Sequence, residues 1–440
     1  MCRRHGGAIV VRARFDVVVV GAGPGGIAAA AVAAAAGMRV CLLDANPGLG
    51  GQVWRGIGAG TARSYPHGGK FVRWKARLDA SGCEVWQGWQ VVDAPKQRLL
   101  RVESDVESRE IEFEHLILAT GARERFLPFP GWTLPGVMGV GGAQAMVKSG
   151  LDASGKRVVV AGSGPLLLAV AACLAKAGAT IEGVFEQATR AQMAPFVLSA
   201  LAAQPGKLIE GALYRLWTFG VPYRFDSWVR RAEGRARVER VWVSIGGKER
   251  AIACDWLACG FHLVPNLELP RLLGCQILAG CVKVDALQQS SVEGVACVGE
   301  LTGIGGLEKA LHEGEIAGWA AVGNQARALS LASRRRRQLE FAARMERAFA
   351  LRPELRRLPT DSTIVCRCED VTHKELAACE GWREAKLHSR CGMGSCQGRI
   401  CGGAAEFLYG WGPKDARPPV YPTKVATLAA ETDTADRASR

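Results

Sequence analysis

Two stretches of this 440-residue chain repeat one local design: a β-branched apolar run, a glycine turn, then a small-residue run of helical length. In the first, Phe15 to Val20 reads as a buried parallel strand and Gly21-Ala-Gly-Pro-Gly-Gly26 as the turn. An alanine-rich helix follows to about Ala36, Gly37 ends it, and Met38 to Asp44 is the next strand. In the second, Val158 to Ala161 is the strand and Gly162-Ser-Gly164-Pro165 the turn. Leu166 to Ala177 is the helix and Ala179 to Glu186 the next strand. The units start about 140 residues apart, so the predicted class is α/β with two Rossmann-like dinucleotide-binding domains.

Other segments fill in this frame. Glu112 to Leu118 reads as a strand running into Ala119-Thr120-Gly121-Ala122. Residues 236–260 alternate like strands, Val295 to Glu300 is a further strand, and Gly305-Gly306 opens a helix to about Ala321. The expected organisation is a first nucleotide domain over 1–135, a second over 136–262, and a return to the first over 263–325. A basic helical linker over 326–361, a small cysteine-bearing domain over 362–412 and a tail over 413–440 complete it. The tail carries four prolines (413, 418, 419 and 422) and ends polar, which fits disorder or packing against another chain.

At the first turn each glycine has a task. Gly21 permits the sharp bend, Gly23 lets a pyrophosphate approach the backbone, and Gly26 lets helix and strand pack closely. The helix N-terminus, from Pro24, offers unpaired N–H groups to phosphate. Asp44 stands where a carboxylate would bind a ribose hydroxyl. The second turn, with Gly162 and Gly164, has Leu167 in place of the third glycine, which would hold its helix farther from the strand. Glu186 would favour NAD over NADP there, and a degenerate scaffold copy is the competing reading.

Composition excludes several classes. Hydrophobic residues at 48% and charged residues at 22% are globular. Nine of the fifteen cysteines (2, 41, 83, 173, 254, 259, 275, 281 and 297) lie singly in apolar stretches, as small buried hydrophobes in a reducing compartment do. Gly21, Pro24, Gly25 and Gly26 break the apolar run from Phe15 to Ala36, which argues against a signal or spanning helix. The expected location is cytoplasmic, with peripheral attachment at the inner membrane as the alternative. The net charge of +14 concentrates partly in Arg334–Arg337. No nucleic-acid motif accompanies it, so it reads as a solvated linker face or a surface for an acidic partner chain, and no nucleic-acid partner is expected.

The first half resembles the two-dinucleotide-domain flavoproteins of the thioredoxin reductase and ferredoxin reductase type. Thr120 and Gly121 match that fold's Ala-Thr-Gly motif near the flavin nucleotide. Val298-Gly299-Glu300 matches its second flavin motif, with Glu300 in place of the usual Asp. Gly50-Gly51-Gln52 matches the loop that passes beside the flavin. The resemblance implies FAD, with an adenine nucleotide such as ATP as the rival ligand. The Cys-x-x-Cys that thioredoxin reductases carry in the second domain is missing between residues 150 and 260, so dithiol chemistry of that kind is not expected.

The clustered cysteines read Cys366-Arg-Cys368, then Cys391-Gly-Met-Gly-Ser-Cys396-Gln-Gly-Arg-Ile-Cys401. Thiolates that can converge in a glycine-rich segment suit a soft metal centre, zinc or iron–sulfur. The pattern resembles the small [2Fe–2S] domain of bacterioferritin-associated ferredoxin. It is closer still to the variant in flavoprotein subunits of hydrogen cyanide synthase, opine oxidases and D-hydroxyproline or proline dehydrogenases. That family's pattern assigns Cys366, Cys368, Cys396 and Cys401 as ligands and does not require cysteine at 391, so Cys391 reads as a near neighbour; Cys379, in a stretch of helical character, reads as packing.

The resemblance implies an electron-transfer flavoprotein/iron–sulfur subunit of a heteromeric dehydrogenase or oxidase. A partner FAD subunit (beta) would oxidise the C–N bond of an amino acid or secondary amine. A small third subunit is a further expected component, and no electron acceptor is assigned. Two alternatives stay open: an NAD(P)H-dependent flavin reductase feeding the cluster, and a scaffold subunit holding ATP and a structural zinc.

Overall fold

The computed structural model describes residues 11–57 and 67–429. The N-terminal Met1-Cys-Arg-Arg-His-Gly-Gly stretch and the end of the tail lie outside the described residues. The chain divides into two compact units. One holds Met1–Ala122, Pro265–Leu339 and Lys414–Arg440; the other holds Arg123–Val264 and Glu340–Pro413. The boundaries fall at 122 and 264, where 135 and 262 were expected. The linker divides between 339 and 340, the cysteine segment groups with the second unit, and the tail groups with the first.

The first unit is built on parallel strands in the order Glu84–Gln87, Val40–Asp44, Val11–Val20, Ser108–Leu118. The last of these changes partner along one edge. Its start pairs antiparallel with Leu99–Glu103, and its end pairs parallel with Val295–Cys297. Val17, Val18, Val19, Leu42, Leu43, Leu116 and Leu118 are wholly buried, as expected of a sheet covered on both faces. The helices Pro24–Ala35 and Gly306–Ala321 pack against each other. Alanine and glycine along Pro24–Ala35 leave little side chain between the two backbones. Part of the described tail is hydrogen-bonded to the first unit. Val420 N–H donates to the Val92 carbonyl (2.9 Å), and Lys424 Nζ reaches the Ser104 (2.9 Å) and Asp105 carbonyls.

The second unit has a five-stranded parallel sheet in the order Tyr223–Arg224, Thr180–Glu186, Arg157–Ser163, Trp256–Phe261, Val137–Gly139. The alternation over 236–260 resolves into the strands Arg240–Ile245 and Lys248–Ala253 of an antiparallel three-stranded sheet, then the buried strand Trp256–Phe261. Leu355 and Leu358 sit in the core of this unit with Phe126, Phe129 and Trp132. Trp132 Nε1–H donates to the Ile364 carbonyl (2.6 Å), so the segment entering the cysteine region is fixed by packing and by hydrogen bonding. Among the described residues no helix is long and apolar enough to cross a membrane.

Candidate functional site

The first glycine loop is shaped by close approach. A Cβ on Gly26 would lie 1.8 Å from the Gly21 carbonyl oxygen, a distance no side chain tolerates, so helix and strand meet as near as the motif requires. Gly23 differs: a Cβ there would meet nothing within 4 Å, so the space above the loop is open. Helix Pro24–Ala35 has no side-chain cap at its N-terminus, which leaves its first N–H groups available to an anion. Asp44 is buried at the end of its strand. Its Oδ2 accepts from Ala22 N–H (2.6 Å), and its Oδ1 accepts from the backbone (2.7 Å) and side-chain amide (2.8 Å) of Asn46. The carboxylate therefore braces the loop from below.

The neighbouring motif residues gather around this loop. Gly50 N–H donates to the Ala22 carbonyl (2.8 Å), and a Cβ on Gly51 would come within 3.0 Å of Gly23 Cα. Gln52 is exposed, and Trp54 beyond it is fully buried against Phe71. Thr120 and Gly121 are tied to Asn266. Its side-chain amide donates to the Thr120 carbonyl (2.8 Å) and its backbone N–H to the Gly121 carbonyl (3.0 Å). Gly299 N–H donates to Glu313 (2.9 Å). The Glu300 carboxylate accepts from Gly305 (2.9 Å) and Gly306 (2.8 Å), where the next helix starts. Its burial raises its pKa, and it acts here as a brace within the chain.

Sequence reasoning missed what holds this turn. Lys309 and Glu313 are both wholly buried and one helical turn apart. Lys309 Nζ donates to the Gly299 carbonyl (2.7 Å), to Thr302 Oγ1 (2.7 Å) and to Glu313 (2.8 Å). Arg335 completes the network by donating to the other Glu313 oxygen (3.0 Å). One arginine of the basic run is thus turned inward as a counter-ion. The donors and the open space fit a dinucleotide at the first loop.

At the second loop, a Cβ on Gly162 would lie 1.8 Å from the Gly260 carbonyl oxygen, so two strands touch there. Glu186 is fully buried and accepts from Gly164 (2.8 Å) and Ala188 (2.9 Å). Burial pushes its carboxyl up to about 7. Leu167 is buried in the core beneath.

In the cysteine segment, the sulfurs of Cys366, Cys391 and Cys401 all lie within 4.8 Å of one another, and all three residues are buried. Cys396 contacts Cys401 and Cys368, and Cys368 is exposed. Cys366, Cys391 and Cys401 thus form a mutual triangle, with Cys396 on Cys401 and Cys368 beyond it, so Cys391 stands as near the centre as any residue of the expected tetrad. Hydrogen bonds from Cys391 and Cys401 hold the Cys366 thiol down to about 2, and Cys401 holds Cys396 down to about 5. The same hydrogen bonds push the donors Cys391 and Cys401 up, so two thiolates sit against two thiols whose protons a soft cation would displace. Trp382 covers the segment. A Cβ on Gly392 or Gly398 would come within 2.5 or 2.9 Å of its indole, so glycine is required where the ring lies on the backbone. Cys379, after helix His373–Ala377, packs at the edge and donates to the Glu375 carbonyl (3.4 Å).

Comparison with known proteins agrees with this architecture. Residues 15–321 match the family model "Pyridine nucleotide-disulphide oxidoreductase". The chain belongs to this family. It is similar to an opine oxidase subunit of Rhizobium meliloti, 34% identical over 88% of this chain and 90% of that one. It is equally similar to hydrogen cyanide synthase subunit HcnB of Pseudomonas aeruginosa, 34% identical over 87% and 90%. It is therefore also a member of the group that contains these opine oxidase and hydrogen cyanide synthase chains. Among solved structures, L-proline dehydrogenase of P. horikoshii shares the fold with a TM-score of 0.70, at 20% identity over 97% of this chain and 81% of that one. Thioredoxin reductase of T. acidophilum matches with a TM-score of 0.54, at 21% identity over 73% and 98%.

Proposed function

We propose that this chain is the electron-transfer subunit of a heteromeric flavin-dependent dehydrogenase or oxidase. On this reading a partner FAD subunit removes two electrons from the C–N bond of an amino acid or secondary amine. The chain's glycine loop at Gly21, Gly23 and Gly26 holds FAD, and its cysteines hold a [2Fe–2S] cluster. The observation that carries the reading is the converging thiols at the end of a chain otherwise built like a flavoprotein. The relatives' names, which designate subunits, support a partner chain.

The chain's own residues have defined work under this proposal. The uncapped helix at Pro24 receives the pyrophosphate, and Asp44 fixes the loop that presents it. Lys309 and Glu313 hold the Gly299–Thr302 turn rigid. Cys366, Cys368, Cys396 and Cys401 are the proposed metal ligands, with Cys391 beside them, and Trp382 limits water at their backbone. Bound flavin would accept electron pairs and the cluster would pass single electrons. Zinc needs four sulfurs about 3.8 Å apart around one point, given Zn–S bonds of about 2.3 Å. The sulfurs of Cys366, Cys391 and Cys401 lie within 4.8 Å of one another, so metal and sulfide analysis separates zinc from the two-iron centre proposed here.

The test is anaerobic purification of the chain with its neighbouring subunits, followed by flavin, iron and acid-labile sulfide assays. About two irons and two sulfides per chain, with flavin, are expected. Zinc without sulfide, and no flavin, would sink the proposal.

A further inference from the structure

The crevice outside the carboxyl ends of parallel strands is where an open α/β sheet takes its ligand, at the point where strand order reverses. In the second unit that point is the Arg157–Ser163 strand, flanked by Thr180–Glu186 on one side and Trp256–Phe261 on the other. The residues that end or follow these strands are Ser163, Gln187 and His262. All three meet one short segment of the same unit. Ser163 Oγ donates to the Phe349 carbonyl (2.9 Å), and His262 Nε2 lies 2.6 Å from the same oxygen. Gln187 Nε2 donates to the carbonyls of Phe349 (3.3 Å) and Ala350 (3.1 Å), and its Oε1 accepts from Arg352 N–H (3.1 Å).

This contact is not a surface one. Ser163, Gln187 and Phe349 are all buried. Phe349 packs with Ala188 and Ala348 over Met193 and Phe196. Arg352 lies 4.0 Å over the Trp228 ring and pairs with Asp226 at 2.8 Å. The polar groups that a ribose or pyrophosphate would use are also committed. Gly164 N–H and Ala188 N–H are taken by Glu186, and both ends of the Gln187 amide are taken by the segment. A ligand would have to break these bonds and supply replacements in a buried site.

We propose that residues 349–352 form a strap that fills the second dinucleotide crevice. The second domain then takes no pyridine nucleotide and serves instead to anchor the segment leading to the cysteine cluster. The two duplicated units have thus diverged: the Gly21 loop is open above Gly23, and the Gly162 loop is closed by the chain itself. NAD(P)H held in the second crevice is therefore not the electron source, whatever metal the cysteines hold.

Hydrogen–deuterium exchange of the full-length protein tests this, read on peptides covering 18–28, 160–167 and 345–355. NADH and NADPH at millimolar concentration are the probes, with NADH fluorescence recorded in parallel. In the wild type, the Arg352 amide is expected to exchange far more slowly than exposed chain, and neither nucleotide should protect 160–167. Protection confined to 18–28 would locate a nucleotide at the first loop and support the closed second crevice. A Ser163→Ala/Gln187→Ala double variant should speed exchange of the strap by about tenfold or more. The proposal is overturned if NADH protects 160–167 in the wild type. It is equally overturned if the wild-type strap exchanges like exposed chain. Neither outcome needs the variant to fold.

Discussion

Lys309→Met should weaken the first unit by about 3 kcal/mol. Both Lys309 and Glu313 are wholly removed from water, and Lys309 Nζ satisfies the Gly299 carbonyl, Thr302 and Glu313 together. Methionine keeps the apolar stem, so little cavity is added, and the loss is electrostatic. Removing one partner of a buried ion pair costs about 3–5 kcal/mol, because a buried charge is left uncompensated. Arg335 remains 3.0 Å from the other Glu313 oxygen and places the cost at the lower end. Because the chain has two units, a single unfolding midpoint would mix their stabilities. The measurement is therefore native-state hydrogen exchange of peptides covering 298–316, where the change should appear as a roughly hundredfold faster exchange. Glu313→Gln alone should cost a similar amount. The double variant, with no buried charge lacking a partner on this helix, should lose at least about 2 kcal/mol less than the sum. Additivity within about 0.5 kcal/mol, or a Lys309→Met loss below about 1 kcal/mol, would refute the reasoning.

Gly26→Ala should fail to retain a dinucleotide and should destabilise the first unit, since its Cβ would lie 1.8 Å from the Gly21 oxygen. Gly23→Ala meets no protein atom, so it should fold with unchanged thermal stability yet lose bound flavin, as absorbance at purification would read. A folded Gly23→Ala protein with wild-type flavin content would remove that loop from the proposed site. Cys396→Ser and Cys401→Ser should abolish iron retention while Cys379→Ser leaves it intact, by metal analysis of the anaerobic protein. Glu186 gives a pH signature in the second unit. Its carboxyl is raised from 4.5 to about 7, so the folded state binds the proton more tightly than the unfolded one. The associated stability is present below pH 4.5 and is lost as pH rises through 7, a decline of about 3 kcal/mol. Exchange of peptides over 180–190 should follow that direction, and Glu186→Gln should remove that part of the slope.

The two strand–loop–helix units were legible because both signals are local. Valine runs between Phe15 and Val20 and between Val158 and Val160 can only be strands buried on both faces, and the glycines between strand and helix mark the close approaches seen at Gly26 and Gly162. Asp44 and Glu186 were legible for the same reason, since each ends a strand at a fixed spacing from its loop. The cysteine spacing located the cluster but not its geometry, in which Cys391 joins Cys366 and Cys401 in a buried triangle while Cys368 is exposed. Lys309 and Glu313 were hidden because an i,i+4 pair on a helix reads as a solvated surface pair until burial is known. The strap was hidden for a different reason. Ser163, Gln187, His262 and Phe349 are scattered over almost two hundred residues, and none belongs to a periodic pattern. The strap follows helix Ala332–Ala348, and nothing in the basic pattern over 326–361 says where that helix ends up.

The hydrogen bonds of the two acidic residues show why equivalent positions came to different ends. Asp44 braces its loop through the N–H of Ala22, before Gly23, and leaves the second glycine free to face a ligand. Glu186, one methylene longer, reaches past Ser163 to the N–H of Gly164, the second glycine itself. It thereby spends a donor that a pyrophosphate would need. Once that donor is spent, a backbone carbonyl is as good an occupant of the crevice as a phosphate oxygen, and it costs no association entropy because it belongs to the same chain. The side chains next to the loop then select for a strap, through Ser163 and the Gln187 amide. Shortening the acid is the decisive comparison. Glu186→Asp should release the Gly164 N–H while keeping the charge, raising exchange at Gly164 without freeing the strap. If the strap loosened along with Gly164, the acid and the strap would be one interlocked unit, and the divergence of the two loops could not have begun at the carboxylate.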